Sequence, residues 1–318
     1  MKIPFFWCNI DNFGDALNPI IFKRLIGMDI RCAPVNRATI VGIGSLLDMC
    51  LMDSRDKKFI KRPLIVFSSG LGFEEGGFFH NPDILVPERL KRNVQCFAVR
   101  GKLTNARIEK MLGQKTNAVI GDGGLLVNKL IDKTKITPKY DLGIVPHYAD
   151  RDNPIFKKIV NDIPNSIILD PMVDVDTFLH NLCECRAVIS TAMHPLIACD
   201  ALRIPNLWVR ISETTTSRYK FYDYYSAFDK HKEPLDLLHN NFDKNALKMI
   251  SEKYDISDES VSKIQDDLMS ALYQIKQSIK KIRARIFIQN IYNSFVRVFC
   301  IFVPVRKWRR SLRNYLTI

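Results

Sequence analysis

The feature that most constrains this chain is a repeated alternation of short apolar runs with longer amphipathic stretches. ATIVGIG (residues 38–44) precedes SLLDMCLM, PLIVFSSG (63–70) follows, VQCFAV (94–99) leads into RGKLTNARIEKML, and NAVIGDG (117–123) leads into GLLVNKLI. Apolar runs of this length lack the polar alternation of a strand with one wet face, so they predict strands covered on both faces. Strands of that kind separated by helices predict a parallel sheet. The rhythm restarts at DLGIVPHY (141–148) and continues through NSIILD, RAVIST and IPNLWVR, with FKKIVNDI, VDTFLHNLCE and HPLIACDAL between them.

The expected fold class is therefore α/β: two open α/β domains facing a cleft, followed by C-terminal helices. At 318 residues the chain is long enough for two such domains. A linker around Lys133–Tyr140, carrying Pro138, divides residues 1–138 from 139–242. Strands are expected to stop beyond Asp223. Residues 243–283 read as a helical extension, with helices over Asp243–Tyr254 and Ser257–Lys281.

The net charge of +13 is unevenly placed. After Asp267 there is no acidic residue, while eleven Lys and Arg follow, which leaves +2 for everything before them. On a helical wheel Arg285, Gln289, Asn290, Asn293, Ser294 and Arg297 share one half, opposite a broad arc of Phe, Ile, Val and Tyr. With PVRKWRRSLRNYL behind it, including Trp308 at the interface, residues 284–318 predict a basic amphipathic tail lying on an anionic membrane surface. Arg297 in mid-segment argues against a spanning helix, docking on the protein's own body is the plainer alternative, and the wide apolar face argues against nucleic acid. The eight cysteines sit mostly in apolar stretches, without zinc-ligand spacing or a signal peptide, and predict free thiols in a reducing cytoplasm. Nothing in the sequence calls for a metal.

Polar or glycine-rich segments stand where strands should end: NFGDALN (12–18), GIGS (42–45), SSGLG (68–72), VRGKLT (99–104) and GDGGLL (121–126). In open α/β sheets ligands bind beyond the carboxyl ends of the strands, so these loops should converge on one crevice. Asp15 and Asp122 each stand at a helix start, where an N-cap or first-turn acid is equally at home. In the second half a strand ends in Ser190-Thr191 and His194 opens the next helix, able to reach an anion held on free backbone N–H groups. His147 lies at the equivalent end of another strand.

In this order the segments resemble the polysaccharide pyruvyl transferase family. The likeness rests on Asn12-Phe13-Gly14-Asp15 with Asn18, Gly42-x-Gly44-Ser45, Ser69-Gly70-x-Gly72, Val99-Arg100-Gly101-x-Leu103-Thr104, Gly121-Asp122 with Leu125-Leu126, Val145-Pro146-His147-Tyr148, residues 190–205 and KFYDYY (220–225). It implies a glycosyltransferase-B-like pair of domains, acceptor side first and donor side second. Phosphoenolpyruvate would be the donor, with no further cofactor, and a ketal would form on a lipid-linked bacterial surface polysaccharide precursor at the inner face of the cytoplasmic membrane. Under that reading His194, Asp15 and His147 are catalytic, Arg100, Ser190, Thr191 and Arg210 bind the donor, and Asn12, Asn18 and Asp122 bind the acceptor. Relatives often carry Arg-Leu-His where this chain has Ala192-Met193-His194, which leaves Arg100, Arg210 and Arg218 as candidates for the missing charge. A nucleotide-sugar-dependent glycosyltransferase in the same cleft, and a non-catalytic glycan-binding assembly protein, are the competing readings.

Overall fold

The computed structural model describes residues 2–51, 63–74, 93–211, 217–239, 242 and 245–301, with side chains as far as Lys281. Its elements in chain order are β1 (Ile3–Phe6), α1 (Phe13–Ile26), β2 (Ile30–Cys32), β3 (Ile40–Val41), α2 (Leu47–Leu51), β4 (Leu64–Ser69), β5 (Val94–Val99), α3 (Lys102–Leu112) and β6 (Val119–Ile120). Short 3-10 turns at Gly123–Lys129 and Lys133–Lys135 lead to β7 (Tyr140–Val145), α4 (Pro154–Asp162), β8 (Ser166–Ile168), α5 (Val175–Cys183), β9 (Cys185–Ser190), α6 (Met193–Ala201), β10 (Asn206–Arg210), α7 (Tyr219–Ser226) and β11 (Leu235–Asp236). Helices α8 (Asn245–Lys253) and α9 (Asp258–Ile301) follow.

The strands form two open sheets, both parallel throughout, as the doubly covered apolar runs require. The first has the order β2-β1-β3-β4-β5-β6 and the second β11-β10-β9-β7-β8. In the first, the chain leaves β1 to one side for β2 and then crosses back to β3. In the second, it leaves β7 for β8 and crosses back to β9. Each sheet thus has a switch point, between β1 and β3 and between β7 and β9, where the diverging connections open a crevice at the carboxyl ends.

Aromatic packing fills the first core, where Phe22 of α1 meets Phe5 edge-on at 4.9 Å and Phe67 at 5.5 Å. Leu142, Ile144, Phe156, Ile159, Ile189 and Val209 are buried together against the second sheet. Residues Met1–Leu272, including both sheets, pack as one compact unit, and Tyr273–Ile318 form another.

Three details differ from the sequence reading. ATIVGIG contributes only two strand residues, because after Val41 the backbone is taken over by a side chain: Ile43 donates its N–H to Asn18 Oδ1 at 2.8 Å and accepts from Asn18 Nδ2 at 3.1 Å. A β-carbon on Gly42 would lie 2.0 Å from that Asn18 oxygen, so glycine admits the amide. A short strand, β11, follows Asp223, paired to β10 through Val209–Leu235 and Arg210–Asp236. The last helix runs without a break to Ile301, beyond the expected end at Lys281. No described helix is long and apolar enough to cross a membrane. The wheel pattern of residues 285–302 and the position of Trp308 lie outside the described side chains.

Candidate active site

The two switch points open onto one cavity of about 470 Å³. Its described wall comes from the segments after β1 (Cys8, Asn12, Gly14, Asp15), after β3 (Ser45), after β7 (His147, Tyr148) and after β9 (Ala192, Met193, His194), together with Ser217 and Lys220. Two helix N-termini therefore face it, those of α1 and α6. Helix α1 is capped by Asn12, whose Oδ1 accepts from the Asp15 N–H at 3.1 Å and whose Nδ2 donates to the Asp15 carboxylate. Helix α6 begins at Ala192, which offers no side-chain cap, so its first-turn N–H groups keep their positive field for whatever enters.

The titratable groups are shifted in a mutually consistent way. Burial pushes the Asp15 carboxyl up to about 6, partly opposed by Asn12 and by the nearby Lys220 charge. Burial brings the Lys220 ammonium down to about 8, helped by the Arg100 charge and resisted by Asp15 and Asp150. His194 falls to about 3 through burial and then the charges of Lys220 and Arg100, and His147 to about 4 through burial and Lys220. Both imidazoles are accordingly neutral at pH 7. Ala149 N–H donates to His147 Nδ1 at 3.3 Å, which leaves the proton of the neutral ring on Nε2. The His194 ring rests directly on the first turn of α1: a β-carbon at Gly14 would lie 2.0 Å from its Nδ1, so glycine is what lets the two halves close here. His194 Nε2 is shielded from water and has no partner among the described residues.

Of the site residues expected from sequence, Asn12, Asp15, His147 and His194 come together in the cavity wall. Asn18 does not line it, its amide being spent on Ile43. Asp122 is not part of the described wall either: it is buried and caps the Gly123–Lys129 turn by accepting from Gly124 N–H at 2.8 Å. Ser190 Oγ donates to Val145 O and accepts from Ala192 N–H, while Thr191 Oγ accepts from His147 N–H at 2.8 Å and donates to Asp150 at 3.0 Å. These hydroxyls set the positions of the two histidine-bearing loops. Arg210 pairs with Asp236 at 2.7 Å, and neither it nor Arg218 is part of the described wall.

Arg100 is fully buried beneath the cavity. Its Nε donates to Asp223 at 2.8 Å and its Nη1 to Ser45 Oγ at 2.7 Å, and a β-carbon on Gly70 would fall 2.2 Å from its guanidinium carbon. Asp223 also accepts from the Thr104 N–H and Thr104 Oγ, both at 2.7 Å. The Arg100-Gly101-x-x-Thr104 pattern is thus the half of a clamp that grips α7, and Gly101 lets the Asp223 carbonyl approach. Gripped in this way, α7 places Lys220 in the cavity wall, a side chain that strand-end reasoning passed over. Read as a helix, RYKFYDYY puts Lys220 and Asp223 three residues apart on one face, and that was the available signal.

The fold and site define a two-sheet α/β cleft protein whose ligand cavity lies at paired switch points. The profile of the family described as polysaccharide pyruvyl transferase matches residues 12–213, the stretch that builds most of this cavity. The chain belongs to that family. It is 30% identical over 172 residues, 51% of this chain and 59% of the relative, to a functionally uncharacterised protein of Acanthamoeba polyphaga mimivirus. It is 24% identical over 223 residues, 70% of this chain and 63% of the relative, to the succinoglycan biosynthesis protein ExoV of Rhizobium meliloti (strain 1021). The matches thus span about three fifths of these relatives' lengths. Among solved structures, the wall teichoic acid polymerase TagF aligns with a TM-score of 0.37 at 8% identity, over 86% of this chain and 83% of that one.

Proposed function

We propose that this chain transfers pyruvate from phosphoenolpyruvate to a pair of sugar hydroxyls, forming a ketal on a lipid-linked surface-polysaccharide precursor. The observation that carries the reading is the Lys220 ammonium beside His194, His147 and the uncapped N-terminus of α6 in a family cavity. Phosphoenolpyruvate brings three negative charges, and these are the groups that gain from meeting them.

The chemistry assigns distinct work to each. Lys220, with its ammonium near 8, is poised to deliver a proton to the methylene carbon of the donor, turning it into a methyl group and leaving positive character at C2. Two sugar oxygens bond to C2 as the C–O bond to phosphate breaks. One hydroxyl proton leaves with the phosphate and the other restores Lys220. Asp15, with a carboxyl near 6, is the base that removes the first of these hydroxyl protons and passes it to the departing phosphate, and Asn12 orients that carboxylate. His147, through Nε2–H, and His194 hold phosphate and carboxylate oxygens; Ser190 and Thr191 act through the loops they fix. Arg100 acts from below through Ser45 Oγ and through its field, and Lys220 takes the place of the arginine absent at Ala192.

A trianion entering beside neutral histidines stabilises their protonated forms, so donor binding is expected to take up protons over a window that opens at the free-state values near 3 and 4 and extends upward. Calorimetry of phosphoenolpyruvate binding in buffers of different ionisation enthalpy measures this directly. A folded His194→Ala variant is expected to lose donor-dependent phosphate release by about 10²-fold or more. Full release in that variant removes His194 from the reaction. Turnover with a nucleotide sugar in place of phosphoenolpyruvate would instead establish a glycosyltransferase.

Residues 284–318 fit the same task as the segment that holds the enzyme on the inner face of the cytoplasmic membrane, where a lipid-borne acceptor resides. Truncation after Lys281 is expected to abolish co-flotation with vesicles containing anionic phospholipid. Undiminished flotation would assign membrane binding elsewhere.

A further inference from the structure

Two of the exposed large apolar side chains in the described chain stand at the mouth of this one cavity. Ile10, after β1, and Tyr148, after β7, are each 44% exposed. On the wall of a ligand-sized cavity these side chains offer apolar contact surface.

Tyr148 is held for that purpose. Its ring lies against His147 with centroids 4.3 Å apart and planes tilted by 34°. The turn that presents it is pinned at each step: His147 N–H donates to Thr191 Oγ, Asp150 N–H to His147 O at 2.7 Å, and Asn153 N–H to Asp150 O at 2.9 Å. The Asp150 carboxylate, buried under the turn, accepts from Thr191 Oγ at 3.0 Å. The aromatic surface is thus ordered before binding, and a ligand seated on it pays little further entropy. The same cavity wall also carries His147, Asp15 and Asn12.

We infer that Tyr148 is a stacking platform for the acceptor, a hexopyranose that lays its C–H face on the ring while its hydroxyl edge points down to Asp15, with Ile10 on the rim beside it. An exposed aromatic ring on the same wall as Asp15, Asn12 and His147 matches a pyranose ring, which has an apolar face and a hydroxylated edge. Phosphoenolpyruvate, with a phosphate and a carboxylate on a three-carbon frame, gains little from an aromatic face. The inference rests on the acceptor being a sugar, as proposed above, and adds which residue selects it and which face of the ring is read.

Ligand-observed saturation-transfer NMR with methyl β-D-glucopyranoside and methyl β-D-galactopyranoside tests it on the full chain. Saturation is expected to be strongest on the axial ring protons H1, H3 and H5. Tyr148→Ala is expected to weaken binding about tenfold, and Tyr148→Trp to restore it. Absence of saturation with both glycosides, equal saturation of all ring protons, or unchanged binding by Tyr148→Ala would overturn the platform. Thermal protection of the wild-type protein by phosphoenolpyruvate is read alongside. Face-selective sugar binding without such protection would retire the donor and keep the platform, whereas protection without sugar binding would do the reverse.

Discussion

Replacing Lys220 with methionine is expected to lower kcat/KM for phosphoenolpyruvate by about 10²- to 10³-fold while making the protein more stable at neutral pH. The two effects have one cause. An ammonium drawn from water into a cavity, with Arg100 nearby, is costly in the empty protein, which is why its value falls to about 8. The same charge, only partly offset by Asp15 and Asp150, is what the proposed trianionic donor would meet. Because the folded value lies below the unfolded one, the unfolded chain binds more protons between pH 8 and 10.5. The penalty is therefore fully present below pH 8, and stability rises with pH across that window until the penalty is gone. Some access to cavity water remains, so the penalty at pH 7 is on the order of 2 kcal/mol. Urea denaturation at pH 7 and pH 10 should show the variant ahead at the lower pH, with most of that lead gone at the higher. A variant less stable at pH 7 would mean that Asp15 and Asp150 more than repay the burial. An unchanged kcat/KM would exclude Lys220 from donor binding.

Asp223→Ala is expected to produce the largest loss of stability, about 3–5 kcal/mol. Asp223 and Arg100 both have wholly inaccessible side chains, and the carboxylate also accepts from the Thr104 N–H and hydroxyl. Truncating it leaves a buried guanidinium without its carboxylate, with only Ser45 Oγ and the Leu71 carbonyl remaining, and the buried Thr104 N–H without an acceptor. The double variant Arg100→Met/Asp223→Leu removes the stranded charge with its partner and is expected to recover a large part of the loss. The two denaturation midpoints, compared with those of the single variants, give the coupling. A cost below about 1 kcal/mol for Asp223→Ala would show that the clamp is not what holds α7. Loss of the clamp also frees the helix that carries Lys220, so activity falls with stability here, whereas at Lys220 the two move in opposite directions.

Much of the site was legible because switch-point geometry is topological. Once the apolar runs are read as parallel strands, the segments at Asn12–Asp15, His147 and His194 must lie at carboxyl ends, and they do line the cavity. Arg100, Asn18, Ser190 and Thr191 stand at the same kind of position, yet their polar groups are satisfied by the protein itself. A strand-end arginine carries the same signature whether it meets a ligand or an aspartate, and the aspartate that answers Arg100 is 123 residues away in sequence. Asn18 likewise reads as a site residue until its amide is seen replacing a strand for Ile43.

The sequence by itself determined the two parallel sheets, the free cysteines among the described residues and the uneven placement of charge, because periodicity, composition and sign are local properties. Only the tertiary structure decided which polar groups face the cavity and which hold the halves together. That choice depends on partners brought from distant parts of the chain, on glycines at 14, 70 and 101 that permit closer approach than any β-carbon would, and on burial, which with neighbouring charges sets the protonation of Lys220 and the histidines.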